Sequence, residues 1–225
     1  MTYRDARRLF WVVIVGVVLY VILDAVAQLL PPHYSPIRDA ESDLAVGPYG
    51  YIMTVNFLNR GFLSIVFLYA LGKVTAMPGE FASPEAAGRF RTGKIALWVW
   101  GVGAILLAIF PTDVPATPVS WHGAIHLVVA LLAFIGGALG TLLLSLRFSD
   151  SRTLRGAKGV ALAVAVMSVV LLFVMLGGTG SRIGGLTERL FLGAVLLWIT
   201  YVSAYLGLHP SKSVETGPPP GSSAA

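Results

Sequence analysis

The sequence predicts an all-α, polytopic membrane helix bundle with six transmembrane helices. Three observations carry that prediction. Hydrophobic residues make up 56% of the chain and charged ones only 12%, with a mean hydropathy of +0.79; soluble domains carry about 25% charged residues. Apolar runs of about 20 residues recur along the chain, enough to cross a hydrocarbon core of roughly 30 Å. Basic residues crowd into alternate loops. Helix is the only sensible spanning element here, because an open strand edge in lipid would leave backbone groups without partners.

The spans follow in order: Leu9–Leu30, Tyr49–Gly72, Ile95–Phe110, Trp121–Leu146, Gly159–Leu176 and Gly184–Gly207. The third and fifth are short and extend into their flanks. Thr2 with Asp5 resembles a capping box opening the first helix. Arg4, Arg7 and Arg8 before an apolar run ending in Ala25-Val26-Ala27 imitate a signal peptide, but the run is long, so an uncleaved first helix is expected. Gly47-Pro48 places a proline at the start of the second span, and Thr117-Pro118 precedes a fourth helix starting near Trp121. The segment "MPGEFASPEAAGRFRTG" reads as a linker with few large apolar groups. The tail from residue 209 to 225, rich in Pro, Gly and Ser, is expected to be disordered, leaving residues 1–208 as one transmembrane domain.

Charge orients the bundle. Arg4, Arg7, Arg8, Lys73, Arg89, Arg91, Lys94, Arg147, Arg152, Arg155, Lys158 and Lys212 fall on one side, against Arg38 and Arg182 on the other. The positive-inside rule then places both termini in the cytoplasm of a cell whose inner (plasma) membrane holds the protein. The net charge of +5 needs no nucleic acid to explain it, since no basic face carries base-reading groups. With no cysteine, disulfides, thiolate metal sites and cysteine nucleophiles are excluded.

Ionisable side chains inside spans are costly and tend to face a cavity or the bundle interior. Asp24 lies near the outer end of span one. Asn56, Asn59 and Arg60 share one face of span two by the i, i+3, i+4 rule. Glu188 and Arg189 lie about one turn into span six. "FPTDVPATPVSWHGAIH" contributes Asp113, His122 and His126. Apart from Arg60 and its neighbours, all fall in the outer third of the membrane or just above it. A polar pocket lined by spans one, two, four and six and facing outward is the expected consequence. The outer loop "PPHYSPIRDAESDLAVGPYG" reads as an exposed segment bearing Asp39, Glu41 and Asp43 against Arg38.

His122 and His126 stand four residues apart, so their rings point the same way and can share a metal ion, with Asp113, Asp24 or Glu188 as a third ligand. The metalloprotease pattern is incomplete, because Gly123 occupies the place of its general-base glutamate. A plain hydrogen-bonding role for both histidines is the competing reading. Arg60 needs a carboxylate or several carbonyls around it, with Asp24 and Glu188 as the available acids; it either forms an ion pair that fixes helix register or holds an anion or headgroup. Both histidines on one helix face cannot clamp a haem, and no phosphate-binding glycine loop follows a strand. Ser120 and His122 are near neighbours, but no nucleophile elbow is present. Gly136 and Gly140 form a small-residue pair suited to close helix approach.

Taken together, "GPYG" at Gly47–Gly50, "FPTD" at Phe110–Asp113, "HGAIH" at His122–His126 and "GLTERL" at Gly185–Leu190 resemble the bacterial and archaeal membrane family known as domain of unknown function 998. The resemblance implies the six-span layout and the recurrence of these motifs, and brings no reaction, ligand or catalytic set. Three functions are therefore expected to compete. The pocket binds or passes a small polar molecule, a lipid headgroup or protons; or a divalent metal on His122, His126 and an acid acts on a lipid or envelope substrate; or the polar groups only lock helices in an accessory subunit.

Overall fold

The computed structural model describes residues 3–31 and 33–209. It contains six helices long and apolar enough to cross a membrane: α1 (Tyr3–Gln28), α2 (Gly50–Thr75), α3 (Pro84–Ile109), α4 (Trp121–Arg147), α5 (Lys158–Gly178) and α6 (Gly184–Leu208). No strand forms among the described residues; Phe81 and Ser151 make one isolated bridge. Thr2, Lys212 and the tail from residue 210 lie outside the described residues.

Each helix packs on its neighbours in sequence, and α6 closes the ring against α1. The start of α1 and the end of α6 meet on one face, where Arg7 Nε donates to the Gly207 carbonyl at 3.0 Å and the Trp11 ring lies over Gly207.

Two helix starts differ from the sequence reading. α3 begins eleven residues before Ile95, because Ser83 caps it by accepting from Ala86 N–H at 3.3 Å and Pro84 follows at the first helical position. The segment read as a linker is therefore largely helix; its scarcity of large apolar groups hid strong start signals. Pro48 does not begin α2. It lies in the turn before Gly50, a turn set by Gly47 at φ +87°. α4 does start at Trp121, with Ser120 as its cap.

The α3–α4 seam is built on glycine. A Cβ on Gly136 would stand 2.7 Å from the Ala96 carbonyl, and one on Gly140 2.7 Å from Leu97 N. The small-residue pair of α4 therefore receives the α3 backbone itself. Toward the terminal face the core is aromatic: the rings of Phe67, Trp198, Phe148, Phe90 and Phe81 pack in succession, edge-on, tilted or stacked. Trp198 Nε1 donates to Ser145 Oγ at 2.8 Å, and Thr141 and Ser168 hydroxyls tie α4 to α5 at 3.2 Å. Glu80, buried in the α2–α3 loop, accepts from Thr153 N–H at 3.1 Å, from Thr153 Oγ1 at 2.8 Å and from Ser151 Oγ, clamping that loop to the α4–α5 loop.

Candidate ligand site

On the opposite face the α1–α2 loop is drawn into the bundle. α6 begins with backbone N–H groups that no helical carbonyl can reach. The loop supplies the acceptors: Gly185 N–H donates to the Arg38 carbonyl at 3.2 Å and Leu186 N–H to Ile37 at 2.9 Å. The contact is close enough to require glycine, since a Cβ on Gly185 would lie 2.2 Å from the Asp39 carbonyl and one on Gly50 2.2 Å from that of Ala45. Arg189 pins the same segment, donating from Nη1 to the carbonyls of Pro36 and Asp39 at 3.1 Å each and from Nη2 to Tyr34 Oη. Tyr34 in turn donates to the Ala40 carbonyl at 2.9 Å.

This seating carries Glu41 inside. The sequence reads it as an acid on an exposed loop; it is 2% exposed, at the start of a short 3₁₀ turn, Glu41–Ala45. Tyr20 of α1 donates its hydroxyl to Glu41 Oε1. Arg60 of α2 places Nη1 3.8 Å from Oε2, and the Glu41 N–H donates to Glu188 Oε2 at 3.2 Å. Burial pushes the Glu41 carboxyl up to about 7, against the opposing pull of Arg60.

Arg60 is 1% exposed. Its guanidinium lies 4.7 Å from the Trp100 ring centre and 5.3 Å from that of Phe57, which offsets part of the cost of burying the charge. Nε and Nη2 have no hydrogen-bond partner among the described residues, and 3.8 Å to Glu41 is an ion pair rather than a hydrogen bond. A buried cation is thus left short of acceptors.

Two cavities meet at Glu41. The larger, of about 400 Å³, has Arg60, Glu41, Glu188 and His126 among its polar lining, together with Arg38, Asp39 and Asp43 of the loop, and Phe57, Leu107, Phe134 and Met175 among its apolar lining. The smaller, of about 320 Å³, runs between α1 and α6 past Tyr20, Asp24, Glu41 and Arg189. Gly193 helps to make that space, since nothing lies within 4 Å of where its Cβ would stand.

The sequence-selected residues divide accordingly. Arg60, Glu188 and His126 line the larger cavity, and Asp24 and Arg189 the smaller. Asn56 and Asn59 line neither. Their amide nitrogens donate to α1 carbonyls, Tyr20 at 3.2 Å and Gly16 at 2.9 Å, so they fasten α1 to α2. Asp113 accepts from Ser120 Oγ at 2.6 Å and Ser120 N–H at 2.9 Å, which orients the α4 cap; these bonds hold its carboxyl below the usual carboxylate range. A Cβ on Gly123 would sit 1.9 Å from Asp113 Oδ2, which accounts for glycine inside "HGAIH". His122 turns Nδ1 to the Pro111 carbonyl at 3.3 Å, and His126 turns Nδ1 to that of Phe110 at 2.8 Å. His122 and Asp113 stand 3.8 Å apart, but among the described residues no three His, Asp or Glu side chains are grouped to hold a metal ion.

Sequence reasoning missed Glu41, Tyr20 and Trp100. Tyr20 and Asp24 sit at i, i+4 on α1, a polar stripe masked because tyrosine counts as apolar. Trp100 of α3 meets Arg60 of the neighbouring α2, a pairing invisible in one dimension.

Fold and site together define a multi-pass helical membrane protein with a charged, partly enclosed interior. The model of the family described as "Protein of unknown function (DUF998)" matches residues 14–205, and the chain belongs to that family. No curated protein and no solved structure matches it. All four sequence motifs sit at the loop seats just described. "GPYG" ends the α1–α2 loop, with Gly50 packed on Ala45, and "GLTERL" receives that loop; "FPTD" and "HGAIH" close the α3–α4 loop onto α4.

Proposed function

We propose that this protein sits in the plasma (inner) membrane with both termini cytoplasmic and binds a small anionic group at Arg60, in a cavity reached from the external side. One observation carries the reading: a fully buried guanidinium with two unpartnered nitrogens forms part of the wall of a cavity of about 400 Å³, within the roughly 300–1,000 Å³ common for small-ligand sites. Arginine stays charged and offers a planar fork to carboxylate or phosphate oxygens.

Glu41 is the resident counter-ion. A ligand anion replaces it at Arg60 when Glu41 takes up a proton. The groups facing Glu41 are Tyr20 and Asp24 from α1, Arg60 from α2, and Glu188 and Arg189 from α6; Asp43 of its own turn lines the same larger cavity. Anion binding therefore strengthens as pH falls through about 7.

The test is thermal stability of the purified protein in neutral detergent, titrated with acetate or inorganic phosphate. Free ligand at 100 times Kd stabilises by about 2.7 kcal/mol. The wild type should be stabilised and Arg60→Gln should not. Equal behaviour of the two, or no anion that stabilises either, rejects the reading. Orientation is tested separately, helped by the lack of cysteine. In intact cells Val119→Cys, at an exposed position of the α3–α4 loop, should react with an impermeant maleimide, and Ser149→Cys only after permeabilisation.

A further inference from the structure

The larger cavity combines a polar lining, from the α1–α2 loop, Arg60, His126 and Glu188, with an apolar one. The apolar part includes Leu127 and Leu131 of α4 and Met175 and Leu176 of α5. These lips are not closed core: Leu127 is 59%, Leu131 44% and Leu176 42% exposed. The hydroxyl tie between the two helices, Thr141 to Ser168, lies roughly 15 Å along α4 from Leu131 and about 10 Å along α5 from Met175, toward the terminal face. Leu127, Leu131 and Leu176 thus both line the cavity and reach the outer surface of the bundle, on the apolar helices that face the hydrocarbon core. A charged wall with an apolar lateral exit is the complement of an amphiphile. Asp39, Glu41, Asp43 and Glu188 line the cavity against Arg38 and Arg60, so a head group bearing one negative charge is opposed less than one bearing two.

We propose that the ligand is a single-chain amphiphile whose monoanionic head group is held at Arg60 and whose hydrocarbon chain leaves between α4 and α5 into the bilayer. This rests on the anion site at Arg60 and adds to it the class of molecule and the place of its chain. Burying successive methylenes against Leu127, Leu131 and Met175 tightens binding by roughly fourfold each, until the chain reaches lipid.

The experiment is a chain-length series of acetate, butanoate, hexanoate and octanoate, with the affinity of each for the full-length protein read by calorimetry in neutral detergent. A parallel pair, dimethyl phosphate and methyl octyl phosphate, distinguishes a phosphodiester head from a carboxylate, and 1-octanol controls for partition into the micelle. Affinity should climb with chain length in the wild type, stay flat when Leu131→Trp and Met175→Trp fill the exit, and be lost in Arg60→Gln. If acetate binds as well as octanoate, or the filled exit leaves the slope unchanged, the amphiphile is rejected and the anion site stands. If octanol matches octanoate, the chain binds without its head group and the proposal falls. If no anion binds the wild type, both the amphiphile and the anion site fail. The wild-type slope alone decides the matter should the filled variant fold poorly.

Discussion

The α1–α2 and α3–α4 loops lie on the same face, each packs against a glycine near a helix start and each carries an acid, yet they do opposite things with it. The first sinks Glu41 into the bundle beside Arg60 and Glu188, where burial raises its pKa to about 7. The second keeps Asp113 at the rim, where Ser120 bonds its carboxylate and lowers the pKa. The difference lies in what the loops lean on. The first is held by the α6 N-terminus and Arg189, which pull its backbone inward; the second only has to cap α4. An acid at a helix cap organises a local turn. An acid drawn inside against an arginine makes a site.

The comparison breaks first at the two acids themselves. Glu41→Ala leaves the Arg60 charge buried with no carboxylate beside it, a loss of about 3–5 kcal/mol for a broken buried pair. Glu41→Gln, which keeps an acceptor for Tyr20, should cost less. Thermal unfolding in detergent reads both, and Asp113→Ala should fall well short of Glu41→Ala. Equal losses at the two acids would mean that Glu41 is no more than a second cap.

The glycines give the next largest contrast. Alanine at 185 meets a backbone carbonyl at 2.2 Å, whereas alanine at 123 meets the tip of the Asp113 side chain. Overpacking costs about 1–3 kcal/mol. Gly185→Ala should reach the top of that range, unseat the loop and weaken anion binding. Gly123→Ala should stay near the bottom and leave binding intact, because a side chain can swing aside and a seated backbone cannot. The same melting curves and titrations report both.

Titration gives the two loops opposite signs. Glu41 holds its proton more tightly folded than unfolded, its ordinary value being 4.5. The folded state therefore binds more protons between pH 4.5 and about 7, and stability falls as pH rises through that window. Asp113 is depressed below 3.8, so its contribution is present above that value and is lost on further acidification. Glu41→Gln should flatten the stability–pH curve across the neutral window, and Asp113→Asn should flatten only its acid end.

Span number and helix class were legible because twenty-residue apolar runs leave a bilayer protein little alternative. Arg60, Glu188 and His126 were legible as candidates because charge inside a span is conspicuous. Their grouping was not. Glu41 looked like any loop acid, since its burial depends on α6 carrying glycine at 185 and arginine at 189, more than 140 positions away. The start of α3 was misplaced because apolar content was weighed above Ser83-Pro84, a local signal that needs no hydrophobicity. Asn56 and Asn59 share the helical stripe of Arg60, but that periodicity does not distinguish a carbonyl on the next helix from a void.

The smallest expected effect isolates the second loop. Ser120→Ala removes the oxygen that accepts from Gly123 N–H at 3.1 Å and donates to Asp113, and cap losses of this kind cost about 1 kcal/mol. The first turn of α4 should fray, with faster amide exchange at Gly123 and Ala124. His126 lies a turn deeper, buried and bonded to the Phe110 carbonyl, so the wall of the larger cavity should keep its shape. Anion affinity at Arg60 should then stay within about twofold of wild type. A loss of binding as large as that of Arg60→Gln would show that the rim loop, and not only the buried one, holds the site together.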